Sequence, residues 1–246
     1  MVYLINRFQL LISLITLLFL AACTGRPLPV PQSESPQVVK IGLPPTLAHL
    51  KAQIATCANS DLAYDILLLE KNSQDWIREP VDLIITFQDA VPGSTYTYLI
   101  GQTEISIIAG SEFPLKSLSN DQLRILFNAD TTDDQQAGLP AGFKPVIWGF
   151  EQHSDMSELF AAQYLFTPYL PDDAYLAVSP QSMVENIAQS NQSIGYTLSS
   201  AVTDEVYRIS ISDVPEASII PIIASFKLPP SPMQESLIRC LQNQTE

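Results

Sequence analysis

The chain has 246 residues, of which 46% are apolar and 15% charged, and its formal net charge is −14. This composition predicts a globular protein with a sizeable core and excludes intrinsic disorder. The 12 basic residues, set against 26 acidic ones, do not cluster, which argues against nucleic acid as a partner.

The N-terminus, residues 1–22, has the layout of an export signal peptide. Its apolar run "FQLLISLITLLFLAAC" is shorter than the roughly 20 residues that a membrane-spanning helix needs. The run ends in Leu-Ala-Ala-Cys, which resembles a bacterial lipobox and implies that Cys23 is acylated and becomes the new N-terminus. The alternative is an uncleaved anchor with an incidental cysteine. Both interpretations place the rest of the chain outside the cytoplasm, held at a membrane.

Residues 23–37 form a proline-rich segment, "TGRPLPVPQSESPQ" in its central part. Proline in a polar context favours an extended tether that buries no core. The folded part is therefore expected to begin near Val38.

The first half of the folded part alternates strands and helices. "QVVKIGL" predicts a strand, and "PTLAHLKAQIATCA" predicts a helix for which Thr46 is a candidate N-cap. "AYDILLLE" and "VDLIITF" are apolar runs typical of buried parallel strands. "TYTYLIGQTEISIIAG" is a longer extended stretch, interrupted at Gly101.

The second half continues the alternation. "SNDQLRILFNA" predicts a helix that starts with a capping box of Ser119 and Gln122. "KPVIWGF" predicts a strand before a helix from about Asp155 to Tyr164, and "SPQSMVENIAQS" predicts another helix with Ser179 as its N-cap. Three extended runs, "SIGYTL", "EVYRISI" and "IIPIIASF", precede the closing helix "SPMQESLIRCLQN". The pattern indicates an α/β fold.

Three segments, in this order, resemble the phosphate-type solute-binding proteins of ABC importers. These are "VDLIITF", "ISIIAGSEFPLKSLSNDQLRILFNA" and "SMVENIAQSNQSIGYTL". The resemblance covers most of residues 38–242 and is strongest between Ile105 and Tyr196. The matching residues are Asp82, Thr86, Leu118, Gln122, Leu123, Ile125, Phe127, Ile194, Gly195 and Tyr196.

The resemblance implies a two-lobed, type II periplasmic-binding-protein-like fold, in which each lobe is a sheet flanked by helices. Residues 38–98 and 198–246 would form one lobe and residues 99–197 the other. "YLIGQTEISII" and "SIGYTLSS" would be the two hinge crossings, with Gly101 and Gly195 able to absorb backbone rotation. The implied partners are a small-molecule solute and an ABC permease in the membrane. A monomer without cofactor or metal is expected.

The stretch "FEQHSDMSELF" resembles the family's anion-binding turn, Glu-x-Gly-Ser-Gly-Thr. Glu151 and Ser154 match, whereas His153 and Asp155 stand where the family has glycine. A carboxylate at the start of a helix would repel an oxyanion by roughly 4 kcal/mol at ~4 Å and an effective dielectric of ~20. This departure disfavours phosphate, although the resemblance still allows an oxyanion as the small solute. A cationic, neutral or mixed-charge solute and a degenerate site are the alternatives.

The candidate ligand contacts implied by the resemblance are Thr46, Thr86, Asp89, Ser154 and Asp155. Thr86 and Asp89 follow the third predicted strand, where cleft residues lie in an α/β sheet. Thr46, Ser154 and Asp155 could equally serve only to cap helices, and Asp89 could be an ordinary turn residue.

The sequence is compatible to different degrees with two further functions. An enzyme is disfavoured, because His153, Ser154 and Asp155 are neighbours in sequence and adjacent residues do not readily form a nucleophile–base–orienter arrangement. The other alternative is a ligand-free or sensory lipoprotein of the same fold, acting as an interaction module.

Two cysteines remain if Cys23 carries lipid. Cys57 and Cys240 lie late in the first and last predicted helices, in a chain expected to be exported to an oxidising compartment. A disulfide between them and two separate buried thiols are both compatible with the sequence.

Overall fold

A computed structural model describes residues 37–59, 64–72, 80–87, 93–128, 137–164, 166–213 and 219–244. The predicted signal peptide, Cys23, the tether up to Pro36 and Asp89 lie outside these residues, and Gln37, the last residue assigned to the tether, begins the first strand. Among the helices of the described ranges, none is both long and apolar enough to span a membrane.

Strands and helices alternate along most of the chain, as the sequence predicted. The strands are β1 (Gln37–Leu43), β2 (Tyr64–Glu70), β3 (Leu83–Phe87), β4 (Tyr96–Thr103), β5 (Ile105–Ala109), β6 (Ser117–Leu118), β7 (Val146–Gly149), β8 (Tyr175–Leu176), β9 (Ser193–Leu198), β10 (Tyr207–Ile211) and β11 (Ile220–Phe226). The helices are α1 (Leu50–Asn59), α2 (Asn120–Phe127), α3 (Asp155–Tyr164), α4 (Pro180–Gln189) and α5 (Pro232–Gln244), and short 3-10 turns span Pro45–Leu47 and Ser199–Ala201.

The first sheet has the strand order β2-β1-β3-β11-β4. β1 pairs in parallel with β2 and β3, whereas β11 is antiparallel to both β3 and β4. β4 therefore runs in the same direction as the three parallel strands. Helices α1 and α5 pack against each other, α1 also against β2 and α5 against β4.

The second sheet has the strand order β6-β10-β5-β9-β7-β8. β5 is antiparallel to β9 and β10, and β7 runs parallel to β8 and β9. Helix α4 covers β9, β5 and β7, and α3 packs on β5. Strands β5 and β9 are buried throughout; β5 is a nearly continuous apolar run, whereas β9 also buries Ser193 and Thr197.

The chain passes between the sheets twice. The first passage is the predicted hinge crossing, in which β4 is separated from β5 by Glu104 alone. A register shift between Ile222 and Ile223 leaves Ile100 as the extra residue of a β-bulge beside Gly101. The predicted interruption at Gly101 is thus a bulge within β4, and the strand ends two residues later.

The second predicted crossing is wrong. "SIGYTLSS" contains β9, which lies wholly in the second sheet, and the chain then forms β10 in that same sheet. It returns to the first sheet only between β10 and β11. β10 therefore pairs in the second sheet, although its residues fall in the segment predicted for the first lobe. The division into lobes itself stays a prediction.

Gly195 has a packing role. A Cβ at Gly195 would lie 2.6 Å from the Met183 sulfur on α4 and 3.2 Å from the Trp148 carbonyl oxygen on β7. The residue is a glycine because strand and helix approach each other closely here.

The predicted helix starts are confirmed for α2 and α4. Ser119 and Gln122 form the expected capping box, with the Ser119 hydroxyl accepting from the Gln122 N–H at 3.1 Å. Ser179 caps α4 through the Ser182 N–H at 3.1 Å, and Pro180 occupies the first turn.

Cys57 and Cys240 are joined by a disulfide, with their Cα atoms 5.7 Å apart. This is one of the two states that the sequence left open. The bond links α1 to α5 on the first sheet, and the Cys57 side chain is buried there.

Candidate functional site

The carboxyl ends of the parallel strands in both sheets lie at the crossing. In the first sheet, β4 runs along with β1 and β3 and ends at Thr103, immediately before Glu104. In the second sheet, Ile105 at the start of β5 pairs with Leu198 at the carboxyl end of β9. The segments that follow β1, β7 and β9 therefore extend from the edges that Glu104 connects. Ligand sites in α/β sheets form at such edges.

Thr46 lies at this edge of the first sheet. It belongs to the 3-10 turn after β1, and α1 begins only at Leu50, so the expectation that Thr46 caps this helix is wrong. Prolines 44 and 45 favour the tight turn because their φ angles are fixed. Thr46 is 7% exposed, and its hydroxyl has no hydrogen-bond partner among the described residues.

His49 holds this turn from the helix side. Its imidazole is hydrogen-bonded to the backbone of Thr46, and burial lowers the pKa of His49 below its ordinary value despite that bond. The neutral ring is therefore the form that the fold prefers.

Thr86 lies within β3 rather than after it. It pairs with Ile223 of β11 and is 3% exposed, so it is a residue of the sheet interior. The segment "VDLIITF" predicted this strand through Phe87, so the placement of Thr86 after the strand is wrong. Asp89 lies outside the described residues.

The turn before α3 has a left-handed residue. His153 has a φ of +65°, in the region that favours glycine. His153 also stands at one of the positions where the resembled turn carries glycine.

Ser154 and Asp155 occupy the start of α3. The Ser154 hydroxyl accepts a hydrogen bond from the Ser157 N–H at 3.3 Å, which makes it a helix cap. Asp155 is the first helical residue and is 7% exposed. Its carboxyl group thus lies at the electropositive end of the helix. Capping, one of the two predicted roles, is confirmed for Ser154.

Tyr196 on β9 contacts both sides of this turn. Its hydroxyl accepts a hydrogen bond from the Phe150 N–H at 3.4 Å and interacts with the Ser157 side chain. Burial raises the pKa of Tyr196, so its hydroxyl stays protonated. Its ring lies 4.2 Å from that of Phe160 on α3, centroid to centroid. The tyrosine of the "Ile-Gly-Tyr" motif therefore fixes the turn relative to β9.

In the turn after β1, several backbone N–H groups are missing or already bonded. Positions 44 and 45 are prolines and have no N–H. The N–H groups of Leu47 and Ala48 are already bonded to the carbonyls of the two prolines, at 2.9 and 3.1 Å. Helix starts hold anions through free N–H groups. This turn therefore offers an anion fewer donors than a free helix N-terminus would.

A pocket of about 370 Å³ lies at the crossing itself. This volume falls within the usual range for small-molecule sites, about 300–1,000 Å³. The pocket is lined by Gln102, Thr103, Glu104, Ser199, Ser200 and Ile219.

Hydrogen bonds hold the pocket walls together. The Ser199 N–H donates to the Glu104 carbonyl at 2.7 Å, and the Ser199 and Ser106 hydroxyls lie 2.8 Å apart. Arg208 donates to the Ser199 carbonyl at 3.1 Å. These bonds join the crossing to the end of β9, so the pocket is a defined feature of the fold.

Sequence reasoning missed every residue of this pocket. The polar sequence "QTE" between two apolar strands could have indicated Gln102, Thr103 and Glu104. The family resemblance assigns this sequence only to a hinge. Ser199 and Ser200 could not be assigned to the pocket, because the turn of β9 toward the crossing depends on the pairing of β5 with β9.

No family model matches the chain, and no curated protein matches it. Solved structures do match. One, from Clostridium perfringens, is described as a phosphate ABC transporter substrate-binding protein with bound phosphate. It has a TM-score of 0.69 and 15% identity, covering 83% of this chain and 93% of that one. An ABC-type phosphate transport receptor from Vibrio cholerae has a TM-score of 0.65 and 14% identity over 83% and 93% of the two chains.

Regulatory domains share the same fold. The CcmR regulatory domain from Synechocystis, in complex with 2-PG, has a TM-score of 0.60 and 12% identity, covering 85% of this chain and 97% of that one. These similarities confirm the predicted fold: the chain has the two-sheet α/β architecture of type II periplasmic-binding-protein-like domains. The neighbours named here are binding proteins and regulatory domains.

Proposed function

We propose that this chain is an extracytoplasmic solute-binding lipoprotein of an ABC-type importer. It captures a small solute between its two lobes, closes over it, and presents the closed form to a permease in the membrane. The observation that carries the proposal is the convergence of the carboxyl edges of both sheets on a pocket at their crossing. The solved neighbours described as phosphate transport proteins support it at the level of fold.

A thermal-shift screen tests this function. A ligand that binds only the native state raises the apparent stability in proportion to the logarithm of its concentration above Kd. The screen contains phosphate, sulfate, amino acids, amines and sugars. A saturable shift with one class supports solute capture. If no class produces a shift, solute capture is contradicted and the ligand-free, sensory alternative is favoured.

Ser154 provides a matched pair of variants for the same screen. Ser154→Ala and Ser179→Ala each remove one helix cap and should each cost about 0.5–2 kcal/mol of stability. If Ser154 also contacts the solute, only Ser154→Ala weakens ligand binding. Equal affinities in the two variants would restrict Ser154 to capping. Esterase and phosphatase assays on the same pair address catalysis, and Ser154-dependent turnover would contradict a pure binding role.

The proposed anchor is a lipid on Cys23. A single acyl chain gives only weak membrane binding, so stable anchoring requires more than one chain. Labelled palmitate should enter the wild-type chain but not a Cys23→Ala variant, which should appear in the soluble fraction. Membrane retention of the unlabelled variant would instead indicate an uncleaved N-terminal anchor.

A further inference from the structure

The polar side chains that line the pocket at the crossing are either neutral or negatively charged. The lining residues offer a carboxylate, three hydroxyls and a carboxamide, and none of them carries a positive charge. Among the described residues, Glu104 makes no ion pair; the ion pair in this part of the chain joins Lys51 to Glu70 on the first sheet. The pocket therefore holds a negative charge that no lining side chain neutralises.

Thr103 gives a second, independent indication of a ligand. The residue is 7% exposed, and its hydroxyl has no hydrogen-bond partner among the described residues. A buried hydroxyl without a partner costs free energy, and such groups are rare in native folds. Its neighbour Ser199 is fully engaged by contrast, with bonds to Glu104, Ser106 and Arg208. Because Thr103 is also a lining residue of the pocket, a donor group of a bound solute is a candidate partner for this oxygen.

We infer that the crossing pocket binds a small solute that carries an ammonium group. This inference rests on the proposed function and gives the chemical class of its solute. The Glu104 carboxylate pairs with the ammonium charge, and the hydroxyl oxygens of Thr103 and Ser200 accept its remaining N–H groups. Ile219, which is 59% exposed, offers an apolar wall for a short carbon chain.

The surroundings oppose a free oxyanion at this site. The carboxylate of Glu104 would repel an oxyanion, whereas it attracts a cation. Arg208 is a cationic side chain that donates a hydrogen bond to the Ser199 carbonyl in the pocket wall. It could meet the carboxylate of a zwitterion bound through its ammonium end. Amino-acid-like zwitterions and simple amines are therefore the two forms to compare.

The test uses the full-length chain and three probes: ethanolamine, L-serine and inorganic phosphate. Thermal shift and calorimetric titration are expected to show saturable binding of ethanolamine or L-serine. Glu104→Gln keeps the shape of the side chain and removes its charge, so affinity for that probe should fall tenfold or more. Glu185→Gln is the matched control, because Glu185 is exposed on α4 and does not line the pocket; its affinity should stay unchanged.

Thr103→Val supplies a second variant whose effects on stability and binding differ. Removing an unpartnered hydroxyl should leave the Tm without ligand unchanged or higher, while affinity for the amine probe falls several-fold. A merely structural role of Thr103 would not separate these two readouts.

The outcomes distinguish this inference from the proposed function. Phosphate binding that Glu104→Gln does not weaken overturns the ammonium site and leaves solute capture standing. Amine binding that persists at full affinity in Glu104→Gln also overturns it. Absence of a shift with every probe, and with the wider screen above, overturns both.

Discussion

At the scale of single residues, His153 adopts a backbone conformation that favours glycine. Its φ of +65° places an L-residue in the left-handed region, which costs about 1–2 kcal/mol relative to right-handed backbone. Histidine is among the residues that tolerate this region better than most. The turn before α3 therefore carries a small local cost that glycine would not.

His153→Gly should raise the free energy of unfolding by about 0.5–1 kcal/mol, because relief of the left-handed cost exceeds the extra unfolded-state entropy of glycine. Urea unfolding of the purified protein measures this. His153→Ala is the control, since alanine keeps the unfavourable φ and should bring no gain. Equal stabilisation by alanine and glycine would show that the imidazole itself, and not the backbone, was unfavourable.

His49 makes stability depend on pH. Burial lowers its pKa in the folded state below the ordinary value of 6.5. Above that value the ring is neutral in both states, and His49 does not make the free energy of unfolding depend on pH. As pH falls below 6.5 the unfolded state binds the proton first, so the stability is lost progressively down to the folded-state pKa. Unfolding curves across this window should diverge from those of His49→Gln, with the wild type losing more. Parallel profiles would contradict the buried, neutral ring.

At the scale of elements, the sequence predicted all five helices and most strands of five or more residues. The exceptions are β4 and β5, which were predicted as one extended stretch interrupted at Gly101 and are separated at Glu104. Apolar periodicity and capping residues act locally, so β1, β3, β9 and the starts of α2 and α4 could be predicted from short windows. The two-residue strands β6 and β8 were missed, because they exist only through pairing with β10 and β7.

The candidate site was less predictable than the elements. Ser154 and the left-handed turn were found through a motif, whereas the pocket at the crossing depends on which strands pair. β10 looked like a strand of the first lobe, yet it hydrogen-bonds to β5 and β6. A one-dimensional pattern does not encode such long-range partners, since apolar strands of similar length are interchangeable in sequence.

Packing of the α4–β9 turn on the end of β5 makes Gly110 irreplaceable. A Cβ at Gly110 would lie 2.3 Å from the Ser190 carbonyl oxygen and 2.8 Å from the backbone of Asn191. Backbone atoms cannot rotate away, so Gly110→Ala should cost about 1–3 kcal/mol or more through displacement of the turn. Gly149→Ala is the control, because its Cβ would meet only the flexible side chain of Leu170. Thermal unfolding should rank Gly110→Ala well below Gly149→Ala; the reverse order would contradict the packing argument.

At the scale of the whole molecule, the disulfide closes almost the entire folded chain. Cys57 and Cys240 are separated by 183 residues, which include every strand of the second sheet. A crosslink over so long a loop restricts the unfolded chain, which raises the free energy of unfolding. Although the bond lies on the first sheet, its effect extends to the stability of the second.

Reduction should therefore lower the free energy of unfolding by about 2–5 kcal/mol, the usual cost of losing a native disulfide. Urea unfolding of the oxidised protein, with and without a thiol reductant, measures the loss. The double variant Cys57→Ser, Cys240→Ser is the control. Its unfolding midpoint should equal that of the reduced wild type and should not change when the reductant is added. Because the constraint acts on the unfolded chain, the native contacts of the second sheet should be the same in both forms. Hydrogen exchange that occurs by local opening under native conditions should therefore have the same rates at β5 and β9 in both forms. Identical midpoints for oxidised and reduced wild type would show that the two helices hold the chain ends together without the covalent bond.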